Sequence, residues 1–181
     1  MRRFSGREFG ARLAPLAIAA PLVAIDRVSK DAVVHAIGPA AERHRIDLLG
    51  RWLALAYAEN RGVAFGLFGG LSWFLPLVAV AIVLAIGIAY ARQRRPPLAL
   101  TVAAGLATGG AIGNLIDRVR LGYVIDFIAV GPWPNFNVAD AGVTLGVAGF
   151  VVWAFWTGGE ATRPAGRPGD ERAVGEGTGA R

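Results

Sequence analysis

The chain has 181 residues, of which 54% are hydrophobic and 18% charged, and its formal net charge is +6. That length fits one domain, and the high apolar fraction is not typical of an ordinary soluble domain. The positive charge does not indicate a nucleic-acid-binding protein, because no basic stripe with interleaved aromatic residues is present. The lack of cysteine excludes a disulfide framework and a thiolate metal site.

The first apolar segment follows a basic N-terminus and runs from Leu13 to Ile25. A bilayer-spanning helix needs about twenty residues, so this helix must continue through Asp26 and Lys30 towards Ile37. The two charges stand four residues apart with the acid first, which is the favoured order for an ion pair on one helix face. We expect a retained span with a buried ion pair, and a cleavable signal peptide is the alternative.

Three further segments are apolar enough to cross a bilayer as helices. They run from Trp73 to Ala91, from Leu98 to Ile116 and from about Ala139 to Thr157. Glycines recur every four residues along the last two, and small residues at that spacing let helix backbones pack closely in lipid. The glycines to which we assign this packing role are Gly105, Gly109, Gly113, Gly142 and Gly146.

Arginine clusters next to the apolar segments predict the orientation of the chain. They lie in the N-terminal segment, in the turn at residues 92–97 and in the tail beyond Arg163. Because arginine and lysine are in excess on the cytoplasmic side, both termini are expected there. Two longer loops, about 38–72 and 117–138, are then outside. We predict an all-α membrane protein with four transmembrane helices, one domain over residues 1–157 and a disordered cytoplasmic tail at 158–181.

The first outer loop has the composition of a small β-sheet. Residues 46–57 are rich in leucine, alanine and aromatic residues in partial alternation, which predicts short strands. We expect a small β-rich extracytoplasmic platform on the membrane surface. Residues 60–66 then read Asn-Arg-Gly-Val-Ala-Phe-Gly. Asn60 has a donor and an acceptor for a peptide group, although a plain tight turn explains the same residues.

Polar residues gather around the end of the third span and the start of the fourth. Asn114 precedes Asp117 by three residues and Arg118 by four, so the three share one side of a helix. Asp126 and Asp140 follow in apolar surroundings. Two adjacent carboxyl groups tend to keep one proton between them, which provides the acid and the base of an aspartic peptidase. Taken singly, Asp140 fits a helix N-cap and Asp126 a solvated loop residue.

These blocks, in this order, resemble the lipoprotein signal peptidases (signal peptidase II) over nearly all of residues 26–146. The matching blocks are 26–30, 60–66, 109–118, 122–127 and 136–140. The resemblance implies a membrane aspartic endopeptidase of the bacterial cytoplasmic (inner) membrane, with its active site on the outer face. It implies cleavage of prolipoproteins just before the diacylglyceryl-modified cysteine. The expected partners are lipid-modified prolipoprotein and membrane lipids, and we expect a monomer with no cofactor, metal or nucleic acid.

Residue by residue, the resemblance assigns the catalytic pair to Asp126 and Asp140. Ten more positions match its substrate-binding or supporting residues: Asn60, Gly62, Ala64, Asn114, Asp117, Arg118, Asn137, Ala139, Asp26 and Lys30. Arg27 departs from the pattern, because the family commonly has glutamine there. The sequence does not define the partner of Arg27.

Other classes of protein are less well supported. A serine–lysine peptidase would use Lys30, the only lysine, but Ser29 points about a hundred degrees away on a helix. A zinc peptidase would need a His-Glu-x-x-His motif, which the chain lacks. A small transporter or proton relay would account for intramembrane charges, yet no internal repeat supports it. A purely structural helix bundle leaves the two outer aspartates unexplained.

Overall fold

The structure is a computed structural model that describes residues 10, 12–41, 44–62, 74–93 and 95–158. Within these ranges it has four long helices and one three-stranded antiparallel sheet. In chain order the elements are α1 (Leu16–Ile37), β1 (Arg45–Leu49), β2 (Leu53–Asn60), α2 (Phe74–Arg92), α3 (Leu98–Leu121), β3 (Val124–Val130) and α4 (Val138–Gly158). The predicted disordered tail, apart from Gly158, and Ala64 of the 60–66 block lie outside the described residues.

Two of the described helices are long and apolar enough to cross a membrane, Leu98–Leu121 and Val138–Thr157. A shorter apolar stretch, Val80–Arg92, belongs to α2. The predicted continuation of the first apolar segment is confirmed, because α1 is one helix of 22 residues that ends at Ile37. Its charged residues Asp26 and Lys30 are both buried inside the protein, so neither of these charges lies on the outer surface of the bundle.

The glycines of α3 and α4 lie where these helices touch their neighbours, as predicted. A Cβ added at Gly109 would lie 2.9 Å from Ala19 Cα on α1, and one at Gly146 would lie 2.5 Å from Ala107 N on α3. Separations this short leave no room for a side chain, so the backbones approach closely only because the residues are glycine. A Cβ would also be crowded at Gly105 by Ile18 and the Pro15 carbonyl, at Gly113 by the Asp26 side chain and at Gly142 by the Leu22 side chain.

The strands predicted in the first outer loop are present as β1 and β2, which pair antiparallel. The sequence did not predict the regular structure in the connection at residues 117–138. Helix α3 continues to Leu121, Gly122 ends it with φ +80°, and β3 follows and pairs with β2. Four consecutive β3 residues, from Val124 to Phe127, are buried. A strand covered on both faces shows no alternation, so its pattern did not distinguish it.

The sheet packs against the end of α1. Phe127 of β3 forms an apolar cluster with Val33 and Ile37 of α1. Backbone bonds between Ile128 and Phe136, 3.1 and 2.8 Å long, then hold the segment that leads into α4 against β3. The middle of β3, the end of α3 and the start of α4 therefore meet in one place.

Candidate active site

Asp126 lies in the middle of β3 and is 3% exposed, which excludes the solvated-loop interpretation. Asn60, at the end of β2, donates from Nδ2 to Asp126 Oδ2 at 2.9 Å. Asn137 donates from Nδ2 to Asp126 Oδ1 at 2.8 Å. Each carboxyl oxygen thus has an amide donor, which fixes the orientation of the group in an otherwise apolar strand.

Asp140 is not the N-cap of α4, as one interpretation of the sequence held. The N-cap is Asn137, which precedes the first helical residue, Val138. Asn137 Oδ1 accepts the Asp140 N–H at 2.8 Å, and Asp140 Oδ2 accepts the Asn137 N–H at 3.2 Å. This reciprocal pair is a capping box, with the acidic residue at the third helical position. The local sequence therefore holds Asp140 in the first turn of α4.

Asn137 brings the two aspartates into one site. Its side-chain amide donates to Asp126, and its backbone and side chain hold Asp140. The remaining oxygen of Asp140, Oδ1, accepts from Asn114 Nδ2 of α3 at 2.7 Å. Asn114 Oδ1 in turn accepts from Asn137 Nδ2 at 3.1 Å. Three amides from three different elements thus surround the two carboxyl groups.

The surroundings favour a protonated Asp126. Burial, followed by the negative charge of Asp140, raises the pKa of Asp126 to about 7. The hydrogen bonds from Asn60 and Asn137 and the ammonium of Lys30 oppose this rise in pKa. Desolvation disfavours the charged form of a carboxyl group, and a nearby like charge adds to that effect. A carboxyl group in this state can hold or release a proton close to neutral pH.

A buried network of charges lies behind the carboxyl pair. Lys30 Nζ is 2.8 Å from Asp26 Oδ2 and 2.8 Å from Asp117 Oδ2, so the predicted buried pair is confirmed and has a third member. Arg27 contacts Asp117 Oδ1 at 2.8 Å and Asp31 at 2.9 Å, which supplies the partners that the sequence left undefined. Asp117 therefore faces α1 together with Asn114, whose Oδ1 is 3.4 Å from Lys30 Nζ, so the predicted grouping of these two residues is confirmed.

Two further predicted residues, Gly62 and Ala139, bind side chains close to the carboxyl pair through their backbone N–H groups. Gly62 has φ +83° and donates its N–H to Asn60 Oδ1 at 2.9 Å, which turns the Asn60 amide so that Nδ2 faces Asp126. Ala139 is fully buried and donates its N–H to Asp26 Oδ1 at 2.9 Å. Among the described residues no buried side-chain nitrogen or oxygen lacks a partner.

An open groove of about 320 Å³ lies between α2, α3 and α4 and reaches the site at Asp140. Asn114 and Arg118 are its other strongly polar lining residues, and Arg118 donates to the Asn114 carbonyl at 3.3 Å. The apolar lining residues include Val80, Val83, Ala111, Ile112, Leu115 and Val143. The sequence did not predict this groove, since its walls come from three helices whose packing no local pattern encodes.

No group of three or more His, Cys, Asp or Glu side chains in the described ranges is arranged to hold a metal ion. The groups that donate to the two carboxyl groups are three side-chain amides and the backbone N–H of Asn137. The chemistry that the described site offers directly is proton transfer between carboxyl groups and a bound molecule.

Solved structures of similar shape define the class of protein. A bacterial membrane enzyme solved by the in meso method superposes with a TM-score of 0.66 at 26% identity, covering 83% of this chain and 92% of its own. A second bacterial membrane enzyme, solved the same way, gives a TM-score of 0.63 at 28% identity, with 77% and 90% covered. The fold is that of a bacterial membrane enzyme.

Sequence comparison gives the family. Residues 18–156 match the family model described as Signal peptidase (SPase) II, and the chain belongs to that family. The lipoprotein signal peptidase of Syntrophomonas wolfei is 42% identical over 125 residues, which cover 69% of this chain and 81% of that protein. The lipoprotein signal peptidase of Chlorobaculum tepidum is 40% identical over 156 residues, with 76% and 90% covered. The one from Rhodococcus jostii is 39% identical over 147 residues, with 78% and 72% covered.

Proposed function

We propose that this chain is an aspartic endopeptidase that removes signal peptides from prolipoproteins, cutting just before the diacylglyceryl-modified cysteine. Membership of the signal peptidase II family supports the reaction. The observation that carries the aspartic type is that one residue, Asn137, binds both carboxyl groups: its side-chain amide donates to Asp126 and its backbone N–H donates to Asp140. Two carboxyl groups so placed can act as general acid and general base together.

In the proposed mechanism the pair carries one proton. The ionised carboxylate takes a proton from a water molecule as it attacks the scissile carbonyl carbon. The protonated carboxyl group polarises the carbonyl oxygen and later protonates the leaving amine. Because the two groups share one proton in this proposal, acid and base are not assigned to individual residues. The pKa of about 7 at Asp126 keeps the singly protonated form populated near neutral pH.

The three amides orient the carboxyl groups in this proposal. Asn60, Asn114 and Asn137 each donate to Asp126 or Asp140 at 2.7–2.9 Å, which limits rotation of both groups. A carboxyl group held in place meets the substrate carbonyl without first having to reorganise. Asn60, at the exposed end of β2, is also placed to contact an extended substrate.

We propose that the groove between α2, α3 and α4 binds the lipid-modified cysteine of the substrate and its acyl chains. It joins Asp140 to apolar side chains such as Val83 and Ile112, so an acyl chain could lie along it while the peptide reaches the carboxyl pair. An apolar groove with a few polar groups at one end is the usual form of a site for an amphipathic ligand.

We propose four membrane-spanning helices, with both termini in the cytoplasm and the sheet and carboxyl pair on the outer face. The two helices that pass a test of length and apolar composition, α3 and α4, support two of the spans. Helix α1 is long enough and buries Asp26 and Lys30, as charges within a span require. We propose that residues 1–157 form one peptidase domain that works as a monomer in contact with membrane lipids.

The test uses purified protein in detergent and a diacylglyceryl-modified prolipoprotein, with cleavage followed by mass spectrometry. We expect cleavage before the modified cysteine, and none of the same precursor without its lipid. Asp126→Asn and Asp140→Asn should each lower the rate by at least about a thousandfold while remaining folded and membrane-inserted. A normal rate in either variant contradicts the aspartic mechanism. Cleavage of the unlipidated precursor at an equal rate contradicts the proposed substrate.

A further inference from the structure

Lys30 lies outside the carboxyl pair, yet its side chain is fully buried and reaches across from α1 to α3. Its ammonium has three hydrogens, and the structure gives it three acceptors on three different residues. Asp26 Oδ2 and Asp117 Oδ2 are each 2.8 Å away, and Asn114 Oδ1 is 3.4 Å away. A compact point charge of this kind can serve acceptors on separate elements at once.

Each of the two carboxylates bound by Lys30 also holds a backbone N–H next to one member of the proposed catalytic pair. Asp26 Oδ1 accepts the N–H of Ala139 at 2.9 Å, one residue before Asp140. Asp117 Oδ2 accepts the N–H of Ile125 at 3.2 Å, one residue before Asp126. We call these two contacts the Asp26 clamp and the Asp117 clamp.

The third acceptor of Lys30 leads to the same place. With its Oδ1 turned towards Lys30, Asn114 presents Nδ2 to Asp140 Oδ1 at 2.7 Å. A reversed amide would place two donors against each other on one side and two acceptors on the other. The ammonium therefore also favours the amide orientation that binds Asp140.

We propose that Lys30 is a positioning residue for the peptidase reaction, because its ammonium joins the Asp26 and Asp117 clamps and thereby sets the spacing of Asp126 and Asp140. The kinetic part of this inference rests on the proposed function. The geometric part does not, since the clamps are contacts of the folded protein. Lys30 touches neither reacting carboxyl group in the structure and acts through the backbone on either side.

The main experiment compares Lys30→Met with wild-type protein by site-resolved amide hydrogen exchange. Loss of the ammonium should speed exchange of the Ala139 and Ile125 N–H groups together by about tenfold or more, while amides in the middle of α3 keep their protection. The matched control is Arg27→Gln, which removes a cation from Asp117 Oδ1 but leaves both clamps in contact with Lys30. Exchange at both sites should be unchanged in that variant. Unchanged exchange in Lys30→Met overturns the inference, as does an equal increase at all amides.

Kinetics on the lipidated precursor give a second readout. Lys30→Met should lower kcat by about a hundredfold and leave KM within about threefold, because displaced carboxyl groups slow the chemical step more than they weaken binding. Arg27→Gln should keep kcat within about twofold. A Lys30→Met enzyme with normal kcat and only a lower melting temperature shows that the lysine stabilises the fold and does not position the pair.

If Lys30→Met does not fold, a variant that lacks the charges of Lys30, Asp26 and Asp117 together takes its place in the kinetic test. The triple substitution Lys30→Met, Asp26→Asn, Asp117→Asn removes the three buried charges together and leaves Arg27 paired with Asp31. Each new amide oxygen can still accept its backbone N–H. We expect kcat to stay at least about tenfold below wild type, because nothing joins the two clamps. Recovery to wild-type kcat would show that the lysine only balances charge. If wild-type protein itself fails to cleave, the proposed function fails, and amide exchange still decides the role of Lys30.

Discussion

At the scale of single residues, Asn137 determines the geometry of the site more than either aspartate does. It begins α4 by capping it, and the same side chain donates to Asp126. Because both its Oδ1 and its Nδ2 are hydrogen-bonded, the Asn137 side chain has little freedom to rotate. The start of the helix and the orientation of the Asp126 carboxyl group are therefore set together. The capping box places Asp140 within reach of this amide as a consequence of local sequence.

We predict that replacing Asn137 by aspartate separates these two roles. Aspartate is as good an N-cap as asparagine, so α4 should still begin at Val138. The new carboxylate removes the donor to Asp126 and adds a negative charge beside it, which raises the pKa of Asp126 further. Activity at pH 7 should fall by about a hundredfold, measured by cleavage at a temperature where the variant is folded. Asn114 Oδ1 and the Ile125 carbonyl also lose their donor, so thermal unfolding in detergent should show a lower melting temperature. Wild-type activity in the folded variant would contradict this assignment.

The pH dependence of cleavage follows from the carboxyl pair. Burial and the charge of Asp140 raise the pKa of Asp126 to about 7, so the pair loses its shared proton as the pH rises through that value. The rate constant kcat/KM should therefore fall on the alkaline side with an apparent pKa near 7. A profile measured from pH 5 to about 9 checks this. A rate that is still rising at the alkaline end would show that the active form is doubly ionised.

At the scale of elements, the close contact between α3 and α4 brings Asn114 to Asp140. Both helices carry glycine at their contacts, and Gly146 on α4 lies against the Ala107 backbone of α3. In lipid there is little hydrophobic force between helices, so close packing and hydrogen bonds hold them together. The amide of Asn114 reaches Asp140 only because the two backbones are this near.

We predict that Gly146→Ala separates α3 from α4 and destabilises the protein by about 1–3 kcal/mol, because the new Cβ would lie 2.5 Å from Ala107 N. Gly149→Ala is the matched control on the same helix, since its Cβ would meet Ala103 Cβ at an ordinary 3.5 Å. Thermal unfolding and cleavage of both variants in one detergent provide the comparison. Equal stability of the two variants would show that the helix contact tolerates a methyl group.

At the scale of the whole molecule, the turn between α2 and α3 and the carboxyl pair lie at opposite ends of α3. Arg92 and Arg95 lie at the turn, whereas the sheet and the carboxyl pair lie near the ends of α1 and α3 and the start of α4. A peptidase that acts outside the cytoplasm needs its site at the end away from the arginine-rich turn. The proposed orientation therefore places the site on the outer surface.

The absence of cysteine makes this orientation directly testable. Arg51→Cys, in the exposed turn between β1 and β2, should react with a membrane-impermeant maleimide added to spheroplasts. Arg95→Cys, exposed in the turn before α3, should react only after the membrane is opened. Both cysteines lie far from the carboxyl pair in sequence, so processing activity confirms that each variant is folded. The reverse labelling pattern would invert the topology.

The continuous helix α1, the long helices α3 and α4 and the first two strands could be predicted because each has a local pattern of apolar and polar residues. Strand β3 could not, because Val124, Ile125, Asp126 and Phe127 are all buried and alternation is lost. Burial of Asp126 was likewise invisible, since it results from the packing of β3 against α1 and α3. The polar blocks named the candidate site residues but not the residues that they contact.

What the sequence determined by itself is therefore the set of chemical groups and the helices that carry them, since helical periodicity, capping and glycine spacing act over a few neighbouring residues. Only the tertiary structure decided that Asn137 also donates to Asp126, that Asp117 faces Lys30 and that Arg27 binds Asp117. These contacts join residues of different secondary-structure elements. Their geometry depends on how closely whole helices and the sheet pack, and no local pattern records that distance.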